Sequence, residues 1–166
     1  MQTSNHLPFD RSEPDETNGF QVASAYLILA SHERFLRRPL LPESQPGDDL
    51  ARRLYHAPFV VLAHDTEPDP VFFYANRAAQ EVFALSWAQL VRLPSRLSAE
   101  PLAREERQRL LDRVAAWGFI DDYAGVRVSA SGQRFRITGA TVWTLVDEQA
   151  ARVGQAAAFA TWRPVV

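Results

Sequence analysis

The chain has 166 residues and a mass of 18.7 kDa, enough for one domain with its own core. Its 46% apolar and 23% charged residues are ordinary globular composition, and a net charge of -2 leaves no basic footprint for nucleic acid. It has no Cys and no Lys, all 18 basic residues being Arg, which excludes disulfides, thiolate metal sites, cysteine–flavin adducts, lysine Schiff bases and a P-loop lysine.

Residues 1–19 are polar and rich in Pro, Asp and Glu, and read as a disordered tail with no targeting signal. No apolar run approaches the length needed to span a bilayer, so no membrane contact and a cytoplasmic location are expected. Residues 20–37 form a helix: Ala25, Ile28, Leu29, His32, Phe35 and Leu36 share one face, widened by Val22, Tyr26 and Leu27. Pro39 and Pro42 end it. Asp48 or Asp49 caps a short helix that runs to Tyr55. Residues 20–57 thus supply N-terminal helices for packing on a sheet, and 58–166 form the core domain.

FVVLAH (59–64) and VFFYA (71–75) are apolar strands joined by an acidic, proline-containing loop. Asn76 caps a helix over 77–85. Ser86 to Gln89 fits a capping box for a second short helix. Ser98 opens a third, longer helix to Trp117, with Ala103, Leu110, Val114 and Trp117 as its core stripe and Gly118 as its stop. From Phe119 the period becomes two, with a hairpin turn at Ser131-Gly132. Residues 140–146 and 153–162 supply the remaining strands. The order predicts an α+β fold: a five-stranded antiparallel sheet with three helices between strands two and three, preceded by N-terminal helices.

That order is the order of the PAS fold. FFYANRAAQEVFAL (72–85), GFIDDYAGVRVSASGQRF (118–135), ATVW (140–143) and FATW (159–162) resemble the MEKHLA domain, a PAS-related module of bacterial proteins and of plant class III homeodomain–leucine zipper factors. The resemblance implies a PAS-like sensory or interaction domain and names no ligand. This chain has neither homeodomain nor zipper heptads, so the DNA binding of the plant proteins does not carry over. LPSRLSAEP (93–101) is faintly similar to the flavin-facing stretch of light–oxygen–voltage domains, but Ser95 stands where their reactive cysteine would be.

The chemistry is spare. Flavin is disfavoured by Ser95 and by the apolar Ala156–Ala158 stretch, and haem by a long helix without His or Met. His56 and His64 lie in different elements, so no metal site is expected. Asp121 and Asp122 are adjacent in a strand and point to opposite faces. In the last strand Gly154, Ala156, Ala158 and Ala160 form a wall of small side chains that either lines a cavity or lets a helix pack closely. The candidate ligand-binding residues are Tyr74, Arg96, Tyr123, Arg127 and Trp143: aromatic rings for flat apolar surface, arginines to orient an anion. The expected function is a non-enzymatic sensory or protein-interaction domain holding a small apolar or aromatic ligand between the sheet and helices 77–117. A homodimer through the leading helix, or an unidentified protein partner, goes with it. The alternatives are an isomerase or hydratase using His64 and one Asp, and a ligand-free dimerisation scaffold.

Overall fold

The computed structural model describes residues 9–166, with side chains throughout except at residues 101–104. Two helices lead, α1 (Val22–Leu36) and α2 (Leu50–Tyr55). Strands β1 (Val60–His64) and β2 (Phe72–Ala75) follow, then α3 (Arg77–Phe83), α4 (Trp87–Leu90) and α5 (Pro101–Trp117). The chain closes with β3 (Phe119–Val128), β4 (Arg134–Val146), β5 (Arg152–Phe159) and β6 (Thr161–Pro164). All pairings are antiparallel and the order across the sheet is β2-β1-β5-β4-β3. The sequence reading made 153–162 one strand; the chain bends at Ala160, and β6 pairs separately with the first half of β4. Conversely, the stretches 134–137 and 140–146 are one continuous strand.

Both faces of the sheet are apolar and both are covered. On one, Val61, Ala63, Trp143, Leu145, Ala156 and Ala158 meet α1 and α2. On the other, Val60, Leu62, Phe135, Ile137 and Phe159 meet Ala79 and Phe83 of α3 and Leu90 of α4. Leu110 and Val114 of α5 pack against Ile120 and Val142 on that same side. The wall of small residues is resolved toward close packing: Ala156 and Ala158 lie in the core beneath α1 and α2. Trp143 Nε1 donates to the Ile28 carbonyl of α1 at 3.2 Å, and the Val146 amide donates to Ser31 Oγ at 3.0 Å. The stripe on α5 stops a turn earlier than its spacing suggests. Trp117 is 77% exposed, while the ring of Phe35 lies against Gly118, where a Cβ would come within 2.7 Å of it.

Local signals in the sequence are realised at the helix ends. Asp49 caps α2, and Ser86 and Gln89 form the capping box of α4. Ser98 does not cap α5; its hydroxyl donates to the Ser95 carbonyl at 2.7 Å, and the helix starts after Glu100 with Pro101 in its first turn. Asn76 does more than cap. Its Oδ1 accepts from the amides of Ala79 (3.1 Å) and Val61 (3.0 Å), and its Nδ2 donates to the carbonyls of Leu54 (3.1 Å) and Phe59 (2.8 Å). The side chain is wholly buried and ties α2, β1 and α3 together.

The disordered tail expected over 1–19 needs correction where it is described; residues 1–8 lie outside the described residues. Residues 9–19 pack on the domain. The Phe9 ring stacks on Phe73 with centroids 3.7 Å apart. Arg11 pairs with Asp65 at 2.7 Å and also donates to the Phe72 carbonyl. Trp87 Nε1 donates to the Arg11 carbonyl at 2.8 Å. A polar composition hid one aromatic and one cation that have partners only in the fold.

Two outcomes follow. Replacing Asn76 with Ala strands two amides and two carbonyls in the interior and lowers stability by roughly 3–5 kcal/mol, read as an earlier urea midpoint. Removing residues 1–19 costs about 2–4 kcal/mol through the Phe9 stack and the Arg11–Asp65 pair; an unchanged midpoint would contradict this packing.

Candidate functional site

Between the sheet and helices α3 and α5 lies a partly open cavity of about 60 Å³. Its walls are apolar: Leu62, Phe72 and Phe159 from the sheet, Phe83 from α3, Leu110 from α5, and Val142 from β4. Six polar residues join them: His64, Ser98, Arg107, Tyr123, Arg127 and Gln155. No Asp or Glu lines it among the described residues.

Each polar side chain arrives there by register. His64 and Gln155 are paired across β1 and β5, so they project from the same face. His64 lies close to Gln155, Nε2 to Oε1 at 3.1 Å, and its Nδ1 is 2.8 Å from the Asp65 carbonyl. Burial, helped by the Arg107 and Arg152 cations, holds the imidazole well below its ordinary range, at about 4, against the smaller opposing effect of the Asp65 carbonyl. The ring is therefore neutral. Both ring nitrogens face acceptor oxygens, the Asp65 carbonyl and Gln155 Oε1, and the one ring proton is donated to one of them.

Tyr123, Gly125 and Arg127 share one face of β3. The bare α-carbon of Gly125 leaves room for the Tyr123 ring, whose hydroxyl lies where a Cβ would be. The Arg127 guanidinium sits 5.3 Å from the centre of that ring, and its Nη1 donates to the Val126 carbonyl at 3.0 Å. Arg107 reaches in from α5, and its Nη2 donates to Ser95 Oγ at 2.6 Å. Arg107 is 9% exposed and Arg127 8%. Burial, with the Arg127 cation beside it, lowers the Arg107 guanidinium to about 10. It remains charged at neutral pH.

Of the five residues singled out from sequence, the fold brings two to this cavity, Tyr123 and Arg127. The other three need correction. Trp143 lies in the core beneath α1, because its place in β4, opposite Ala156, turns it to that face. Tyr74 faces the same core; a register shift between Ala63 and His64 lets Phe73 and Tyr74 both point there. Its hydroxyl is buried and has no hydrogen-bond partner among the described residues. Arg96 is a surface residue whose guanidinium bonds both carboxylate oxygens of Asp69, at 3.0 and 3.3 Å, bracing the loop between β1 and β2. Arg107 was missed. Its signal was available: it falls three residues before Leu110 and seven before Val114, a cation on an apolar helical stripe.

The isomerase or hydratase alternative asks for a carboxylate converging on His64. Asp65 is the nearest in sequence, yet its side chain accepts from the Val71 and Glu67 amides and pairs with Arg11. Both His64 nitrogens are engaged as well.

The neutral, buried His64 sets a pH dependence. Below pH 6.5 the unfolded chain takes up a proton that the folded imidazole refuses until about pH 4. Folding stability therefore falls as pH drops through that window, by up to about 3 kcal/mol for this one group. His32, also held below its usual range by burial, adds its own share. Denaturant titrations between pH 7 and pH 4 show a shallower slope for His64→Phe than for the unmutated protein.

The fold has known relatives. The PAS domain of a protein from Colwellia psychrerythraea superposes with a TM-score of 0.58 at 14% identity, over 69% of this chain and 92% of that one. A light–oxygen–voltage domain studied with a flavin analogue gives 0.56 at 14% identity, over 72% and 87%. An RNA-binding light–oxygen–voltage receptor gives 0.57 at 17% identity, over 72% of this chain but only 34% of that receptor. At these identities the likeness is one of fold. No curated protein matches the sequence. No helix among the described residues is long and apolar enough to cross a membrane. The model of the MEKHLA domain family matches residues 22–164, through both leading helices and every strand, and the chain belongs to that family.

Proposed function

We propose that this domain is a non-enzymatic sensory and interaction module that takes a small ligand into the cavity between the sheet and α3 and α5. The observation that carries the reading is the cavity itself: apolar walls with a few convergent polar groups. A volume of about 60 Å³ restricts the occupant to a few heavy atoms. That is too little for a flavin ring system in this conformation. The engaged nitrogens of His64 and the cavity lining without acids favour binding over acid–base turnover. The PAS-type architecture supports a signalling role, in which occupancy is passed on to another surface. Val22 and Tyr26 of α1, 47% and 49% exposed, support such a surface for a protein partner, a second copy of the chain included.

Native mass spectrometry of the protein isolated from its own cells tests this. A bound small molecule of defined mass is expected, and it is expected to be lost in Ala157→Phe. Ala157 lines the cavity, and a phenyl ring there fills it at a cost of roughly 1–3 kcal/mol in stability. Protein that carries no small molecule, or that carries it equally in the filled variant, would refute the reading.

A further inference from the structure

Two arginines point into one small cavity without a counter-charge. Each guanidinium has five donors in a planar fork. Among the described residues these two side chains make few polar contacts: Arg107 donates to Ser95 Oγ, and Arg127 donates to its neighbour's carbonyl and stacks near Tyr123. Among the described residues neither forms an ion pair. Asp69, the carboxylate whose charge is felt at Arg107, is itself held by Arg96. Buried charges are ordinarily paired, since an unpaired ion in the interior costs several kcal/mol. Here two like charges are held near one another, both about nine-tenths buried.

We infer that the cavity binds a small apolar monocarboxylate, its carboxylate gripped by Arg107 and Arg127 and its short hydrocarbon tail laid against Leu62, Phe72 and Phe159. This rests on the cavity reading above and names its ligand class. A carboxylate matches the guanidinium fork in two parallel hydrogen bonds and supplies the missing negative charge. The apolar wall excludes a polyanion or a sugar, whose further polar groups would lie unsatisfied against it. The volume limits the tail, being well below the ~150 Å³ of a cavity that admits benzene. The neutral His64 adds no third cation, and the Gln155 amide offers a polar contact at the floor.

The experiment is a thermal-shift and calorimetric titration at fixed ionic strength with three probes: butyrate, its neutral isostere butyramide, and nitrate. Butyrate is expected to raise Tm and bind at least tenfold more tightly than either other probe. Arg107→Gln and Arg127→Gln should each weaken butyrate at least tenfold. The ligand-free variants should melt no earlier than the unmutated protein, because a repulsion is removed. Equal binding of butyramide overturns the carboxylate, equal binding of nitrate overturns the apolar tail, and an absence of butyrate binding overturns both. If a variant fails to fold, the three-probe comparison on the unmutated protein still decides. A neutral molecule found by mass spectrometry, with no butyrate binding, would remove this inference and leave the cavity reading intact.

Discussion

A sheet with apolar side chains on both faces has to be covered twice, and most of this structure follows from how that is done. In β1, Val60 and Leu62 point one way and Val61 and Ala63 the other, all buried. Each fully buried aliphatic side chain contributes about 1.5–3 kcal/mol, so leaving either face wet would cost more than a domain of this size has in net stability. Helices α3 to α5 cover one face. The other is covered by α1 and α2 together with the chain leading into them, which is why Phe9 and Arg11 are part of the fold.

The two covers meet at Asn76. Its amide is the point where the end of α2, the start of β1 and the start of α3 come within bonding distance of one another. A single planar group with two acceptor sites and two donors fills four orphan backbone positions at once. Asp at this place keeps the acceptors and loses the donors, and Ser lacks the reach. The residue that caps a helix therefore also sets the distance between the layers on either side of the sheet.

The two covers differ in how tightly they close. Beneath α1 the sheet is lined by Ala156, Ala158 and the flat ring of Trp143, and that side is close-packed. Beneath α5, Leu110 and Val114 pack on the sheet, but a turn earlier Arg107 stands on the same stripe, and a cavity lies around it and Arg127. Two guanidiniums repel each other and cannot collapse into a dry contact as leucines would. The cavity is thus a consequence of charge placed on an otherwise apolar stripe.

Much of this was legible from the chain alone. Period-two and period-3.6 patterns placed the strands and helices, local capping placed Asn76, the Ser86–Gln89 box and a cap at Asp48 or Asp49, and four separated segments carried the MEKHLA resemblance. Those signals are short-range, acting over a few residues, so sequence determines them directly. Which face a strand residue takes is a different matter. A register shift in β1 and β2 turned Phe73 and Tyr74 to the same side, and one bend at Ala160 made a sixth strand. Only the fold decided that Trp143 packs under a helix, that Arg96 stays outside with Asp69, and that Arg107 and Arg127, 20 positions apart, share one cavity. A contact between α5 and β3 depends on how the layers settle, and that is a property of the whole core.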